Sequence, residues 1–89
     1  MHKSDEIKVI VLDSGVDIEE IENVKIVRIK SDNYNLLIFK DYMPLIGEIN
    51  GSIIVEGDIT KKYENIRGFY SISRNIFHLI ISEKGIEEW

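Results

Sequence analysis

The sequence contains no cysteine and no alanine, and each absence excludes part of what an 89-residue chain can be. Without cysteine, disulfides, thiolate metal sites and cysteine nucleophiles are excluded. Without alanine, the best helix former is missing, while isoleucine and valine, which favour strands, are abundant. The longest uninterrupted apolar runs have four residues, far short of the roughly 20 that a membrane-spanning helix needs. We therefore expect a helix-poor protein without direct membrane insertion.

Basic residues are in the minority, because 16 Asp and Glu oppose 11 Lys and Arg and give a net charge of −5. Nucleic acid binding needs clustered Lys and Arg, so we do not expect nucleic acid as a partner. Adsorption to an anionic membrane surface is disfavoured for the same reason. Residues 1–6 are polar and include acids, which predicts no signal peptide. We expect a cytoplasmic protein that can lie at the inner face of the membrane through a protein partner.

Short apolar segments alternate with turn residues along nearly the whole chain. The segments are 7–12, 16–21, 24–30, 36–39, 52–55, 63–66, 69–72 and 76–82, with turn residues at 13–15, 31–33, 57–58 and 73–75. About eight short segments at nearly even spacing predict a small β-sandwich or flattened barrel of mostly antiparallel strands. Within this series, Asn50-Gly51 is a strong hairpin signal, and Gly68 is expected to separate two strands. Residues 1–89 are predicted to form one all-β domain with its core at about 7–82.

No pattern in the chain points to catalysis, a cofactor or a metal. The glycines are isolated, and neither GxxxxGK[ST] nor GxGxxG, the loops that hold phosphates, occurs. His78 lies in an apolar segment, where we expect a packed structural histidine. The clustered Glu19, Glu20 and Glu22 are expected to form a solvated face, since a catalytic pair needs opposed environments. We therefore expect a protein that is not an enzyme and that holds no cofactor and no metal.

A non-enzymatic module that binds a protein partner is one possible function, and two alternatives to it stay open. One is a small ligand-binding or enzymatic domain that uses carboxylates with His78, with or without a metal. The other is self-association, because an all-β domain must protect its strand edges and acidic charge alone does not cover them.

A loop with large apolar side chains is the best candidate for a docking site. Asp41-Tyr42-Met43-Pro44 follows an apolar segment, and the proline keeps the residue before it out of the helical region. Tyrosine and methionine are costly to expose in such a loop, so they either fold back onto the core or contact a partner. The candidate partner-binding residues are Asn35, Asp41, Tyr42, Met43 and Pro44.

The order of the segments resembles the N-terminal β-sandwich domain of the epsilon subunit of F-type ATP synthases. In that family, a short strand leads to a turn with glycine and a VxxVxxP strand. A GILPxHAPL segment, a strand that begins with glycine and a closing GGFxxVxxNxVxVL stretch follow. The corresponding segments here, in the same order and at similar spacing, are 7–12, Gly15, 24–29, 35–46, 51–54 and 66–80. The resemblance covers about residues 7–82.

The resemblance implies a non-enzymatic module that docks on the rotor shaft of a proton-transporting assembly, or on a related assembly. The gamma subunit and the rotor ring are the partners it implies. The family's histidine before Ala-Pro-Leu is Tyr42 here, its alanine is Met43, and the acid that contacts the rotor ring falls at Asn35. The family also has a C-terminal helical hairpin for inhibition and, in some members, ATP binding. We expect neither here, because the chain ends about where that hairpin begins.

Overall fold

Six β-strands make up most of residues 6–13 and 17–84, the part of the chain that the computed structural model describes. They are β1 (Ile7–Asp13), β2 (Asp17–Ser31), β3 (Tyr34–Phe39), β4 (Leu45–Gly57), β5 (Thr60–Ser73) and β6 (Ile76–Lys84). These residues contain no helix, so the all-β prediction is confirmed. The predicted turn at residues 14 and 15 and the tail of residues 86–89 lie outside the described residues.

Five of the strands close into a barrel, in the order β1-β6-β5-β4-β2 and back to β1. Neighbouring strands are antiparallel except β1 and β6. That pair is parallel because a closed meander with an odd number of strands brings two strands of the same direction together. β3 is the additional strand and lies antiparallel to the second half of β2. The fold is thus the barrel form of the predicted architecture.

Alternate side chains of the barrel strands point inward and form one apolar core. In β6, Phe77 and Leu79 are fully buried, and Tyr70 of β5 stacks on Phe77 with ring centroids 5.6 Å apart. Within the described residues, no charged side chain is buried. The core therefore rests on branched aliphatic packing around one aromatic pair, and the polar chemistry of the chain is confined to its surface and its barrel ends.

The predicted number of about eight strands is wrong, because two pairs of predicted segments each form one long strand. In β2, the register with β1 shifts by one residue at a bulge, where Asn23 has a left-handed φ of 59°. In β5, a similar shift against β4 contains Asn65, with φ 55°. A β-bulge absorbs an extra residue without ending the strand. Asn23 and Gly68, which suggested strand boundaries, therefore lie inside the continuous strands β2 and β5.

The predicted hairpin at Asn50-Gly51 is also wrong, because both residues lie in the middle of β4. Gly51 pairs with Ser31 of β2 on one side and with Ile66 of β5 on the other. A Cβ at this position would overlap the carbonyl oxygen of Lys30. The glycine therefore permits close approach of the neighbouring backbone and does not form a turn.

The predicted turns at residues 31–33 and 73–75 both occur. Arg74 and Asn75 have φ values of 52° and 63°, the left-handed pair typical of a two-residue hairpin. The backbone N–H of Asp41 donates to the Asn75 side chain at 2.5 Å, so this hairpin also holds the β3–β4 loop.

Candidate functional site

A row of apolar side chains crosses the outer side of the barrel. Ile18 of β2 pairs with Leu12 of β1, which in turn pairs with Ile80 of β6. Ile80 pairs with Phe69 of β5, which completes the row. Ile18 is 67 % exposed, Phe69 50 % and Ile80 45 %, while Leu12 is half-buried between its neighbours. We call these four residues the outer row, and it forms a continuous apolar strip across four strands.

A second row of outward-facing side chains, none of them acidic, lies beside the outer row. Ile10 of β1, His78 of β6, Ser71 of β5 and Ile46 of β4 follow one another in register. Ile46 is 80 % exposed. His78 is also exposed, so the expectation of a packed histidine is wrong. Its neighbours in sequence take the inward positions of β6, and strand alternation therefore turns His78 outward.

Charged residues lie around the outer row and not within it. Lys8 of β1 forms an ion pair with Glu20 at 3.3 Å on the β2 side. On the opposite side, Glu48 of β4 pairs in register with Phe69 of the outer row. Arg67, further along β5, lies 3.8 Å from Glu83. The rim of this face thus carries both signs of charge.

The outer row is not among the predicted site residues, although the sequence carries a signal for it. Residues 9–12 and 79–81 are uninterrupted apolar runs, so side chains on both faces of β1 and β6 are apolar. Such runs indicate a strand that is covered on both faces. The barrel covers only the inner face, and the outer face remains available for a partner.

A pair of tyrosines bridges β3 and β5 next to an open edge of β4. The Tyr34 hydroxyl donates to the backbone carbonyl of Glu48, and the Tyr70 hydroxyl lies 2.8 Å from that of Tyr34. Since Tyr34 has already donated its proton, Tyr70 is the donor within the pair. Burial, and then this bond to Tyr34, raise the pKa of Tyr70. A Cβ on Gly47 would lie 2.5 Å from the Tyr70 ring, so only glycine leaves room for this tyrosine.

A second polar cluster links β2 to the start of β5. Lys61 and Tyr63 donate to the two carboxylate oxygens of Glu19 at 2.7 and 2.6 Å. The bonds from Lys61 and Tyr63 lower the pKa of Glu19, while burial and the bond to Glu19 raise the pKa of Tyr63. Both shifts move the pKa values of Glu19 and Tyr63 further from neutral pH, so neither group is suited to exchange protons at neutral pH. The arrangement ties two strands together and does not resemble an acid–base pair.

The predicted docking residues do not all come together. Asp41, Tyr42, Met43 and Pro44 form one loop, whereas Asn35 is exposed on β3. Four residues of extended strand, roughly 13 Å, separate Asn35 from the end of β3. The structure thus places Asn35 apart from the other predicted residues.

One large side chain of the loop folds back onto the core, and the other is exposed, so that it can contact a partner. Tyr42 packs against the core and meets Phe39 edge to face with ring centroids 6.3 Å apart. Met43 is 68 % exposed, and Pro44 is also exposed. Asp41 has a left-handed φ of 63°, and its carboxylate accepts a hydrogen bond from the Asn75 side-chain amide at 3.2 Å. The loop therefore has a fixed base and presents one large apolar side chain to solvent.

Residues 6–13 and 17–84 bring together no group of three His, Asp or Glu side chains that could hold a metal ion. In the same part of the chain, no helix is long and apolar enough to cross a membrane. The sequence matches no model of a known protein family and is similar to no curated protein.

Proposed function

We propose that this protein is a non-enzymatic protein-interaction module that docks through the outer row. The single observation behind the proposal is the register of Ile18, Leu12, Ile80 and Phe69 on the solvent side of four adjacent strands. A half-exposed phenylalanine alone presents on the order of 100 Å² of apolar surface. The largest contiguous apolar patch on a small protein is often functional, and this row joins exposed or half-buried apolar side chains of four adjacent strands.

The shape of this face favours a protein over a small molecule. The row spreads over the outside of a barrel, and the hollow that Phe69 lines with Arg67 and Ser82 is open to solvent, whereas small ligands are held in enclosed concave sites. Covering apolar area is worth about 25 cal/mol per Å², so burial of Phe69 and its neighbours would contribute several kcal/mol before the cost of association.

The occupant that we propose for this face is a second copy of the chain. A two-fold interface places the same patch on itself, so an apolar centre meets an apolar centre. The rim carries Lys8 and Arg67 together with Glu20 and Glu48, so that cations of one copy can lie opposite acids of the other. The face therefore complements itself without a large patch of one sign.

The test measures association of the purified chain by sedimentation equilibrium from about 1 µM to about 1 mM, the range of weak to moderate dissociation constants. We expect a monomer–dimer equilibrium that the double variant Phe69→Ser/Ile80→Ser weakens by at least about tenfold, because each 1.4 kcal/mol is a factor of ten. Both positions face outward, so thermal unfolding in dilute solution should change little.

The matched control is Ile59→Ser, which removes a side chain that is 56 % exposed in the β4–β5 turn, away from the outer row. It should leave association unchanged. A chain that stays monomeric throughout the concentration range would overturn the second copy as the occupant. Association that survives the double variant would overturn the outer row as the docking surface.

A second candidate surface is the loop of residues 41–44, which the 68 % exposure of Met43 favours. The partner proposed for it is the gamma subunit of an F-type ATP synthase, as the resemblance implies. We expect Met43→Ala to weaken binding of a purified gamma subunit without altering the midpoint of thermal unfolding. Tyr42→Ala should lower that midpoint by several degrees, because truncating a side chain packed on the core leaves a void. No binding of the unmodified chain would contradict this assignment.

A further inference from the structure

The first half of β4 has an edge that no strand of the described chain covers. β4 pairs with β5 over residues 45–56, but it pairs with β2 only over residues 51–57. β2 ends at Ser31, and the chain turns back there into β3. The edge of β4 at residues 45–49 is therefore open along the line on which β2 would have continued.

One hydrogen bond shows which backbone groups face this edge. The Tyr34 hydroxyl donates to the carbonyl of Glu48, so that carbonyl lies on the open side. The N–H and C=O of a strand residue point to the same side, and alternate residues share it. The N–H of Glu48 and both groups of Ile46 therefore point outward too. The outward groups of Asn50 are already bonded to Ser31 and Asp32, so Ile46 and Glu48 are the ladder positions at which no neighbouring strand of the described chain pairs.

A cleft of about 550 Å³ runs beside this edge. The β4 edge forms one wall, the β2–β3 turn forms the other, and Tyr34 and Tyr70 lie between them. Gly47 contributes no side chain to the wall. The lining residues include the acidic Asp32, whose carboxylate accepts a bond from the Asn50 side chain, and Glu48, and they contain no lysine or arginine. The charge of the cleft thus favours a cationic occupant.

We propose that this cleft binds an extended, lysine- or arginine-rich peptide segment of a partner by β-strand addition to β4. The backbone of the segment pairs with Ile46 and Glu48 and displaces the Tyr34 hydroxyl from the Glu48 carbonyl. Its basic side chains lie near Asp32 and Glu48. Main-chain bonds provide affinity in such complexes, and side chains provide selectivity. Glu48 also lies on the rim of the outer row, but the main-chain bonds proposed here use the edge of β4 and not the apolar side chains of that row.

The experiment uses a capped peptide of alternating lysine and valine as the probe, with NMR amide shifts and hydrogen exchange of the intact protein as readouts. We expect the peptide to shift and protect the amides of Ile46 and Glu48. Two further probes carry N-methyl groups at odd or at even positions, with unchanged charge. Only one of the two should lose binding, by about tenfold or more, because alternate amides face β4 and each lost hydrogen bond costs about 0.5–1.5 kcal/mol.

Two protein variants form a matched pair for this test. Ile46→Pro removes the outward N–H, and proline is tolerated on an edge whose N–H makes no ladder bond. Ile46→Ala removes the same side chain but keeps the N–H. We expect the first to weaken binding by about tenfold or more and the second by less than about threefold. Unfolding curves of both variants establish that β4 is intact.

Three results would overturn the proposal. The first is the absence of any change at Ile46 and Glu48 at millimolar peptide. The second is equal binding of both N-methylated probes, which would show that the backbone ladder is not used. The third is equal binding of a probe in which glutamate replaces lysine, which would exclude the basic partner.

Discussion

At the scale of single residues, the polar side chains of this protein stabilise the ends of the barrel. Tyr34 and Tyr70 link β3, β4 and β5 beside the open edge, and Glu19 links β2 to β5 through Lys61 and Tyr63. These residues were not predicted to act together, because their partners lie 36 to 44 positions away in the sequence. A sequence pattern shows periodicity along a strand but not which side chains meet across a barrel.

Glu19 gives the protein a pH dependence that can be measured. Bonds from Lys61 and Tyr63 hold the pKa of Glu19 below the usual value of a glutamate. A carboxylate with a lowered pKa in the folded state stabilises the fold above its unfolded pKa, and this contribution is lost as the pH falls through the folded pKa. Because the group is partly exposed, the contribution should be less than about 1 kcal/mol.

We therefore expect Glu19→Gln to lower the free energy of unfolding at pH 7 and to reduce the loss of stability below about pH 4.5. Urea denaturation between pH 3 and pH 7 measures both effects. Glu20→Gln is the matched control, because Glu20 lies beside Glu19 and forms an exposed ion pair with Lys8. Parallel stability curves for the native chain and Glu19→Gln would contradict the assigned role of this carboxylate.

At the scale of strands, the sequence predicted which regions are extended but not how long each strand is. At least one predicted apolar segment falls in each of the six strands, although the segment 52–55 covers only part of β4. Asn23, Gly51 and Gly68 misled the prediction, because asparagine and glycine signal turns in isolated sequence. In the barrel, Asn23 and Asn65 form bulges and Gly51 permits close backbone approach. Only the pairing of distant strands distinguishes these roles, and one sequence does not contain it.

Two of the candidate surfaces, the outer row and the open edge of β4, follow from strand geometry. The outer row exists because β1 and β6 carry apolar residues on both faces, and the open edge exists because β4 is longer than the part of β2 that covers it. The outer row was visible in the sequence as uninterrupted apolar runs. The open edge was not visible, since it depends on where β2 turns relative to β4. The predicted loop residues rested on their composition and on the family resemblance, and their role stays a prediction.

At the scale of the whole molecule, net charge opposes the self-association proposed for the outer row. Each chain carries a charge of −5, so two copies repel at long range while their apolar rows attract at contact. Raising the ionic strength from about 10 mM to about 150 mM shortens the Debye length from roughly 30 Å to roughly 8 Å. Screening should remove most of the repulsion and leave the apolar contact, which salt does not weaken.

We therefore expect the dimer to become several-fold tighter over this range of sodium chloride and then to change little. Sedimentation equilibrium at a series of salt concentrations measures the effect, and Phe69→Ser/Ile80→Ser should remain weakly associated at all of them. A dimer that weakens steadily with salt would show that ion pairs at the rim, such as Lys8 against Glu48 of the other copy, hold the two chains together. In that case the outer row would not be the source of affinity, because apolar burial has the opposite dependence on salt.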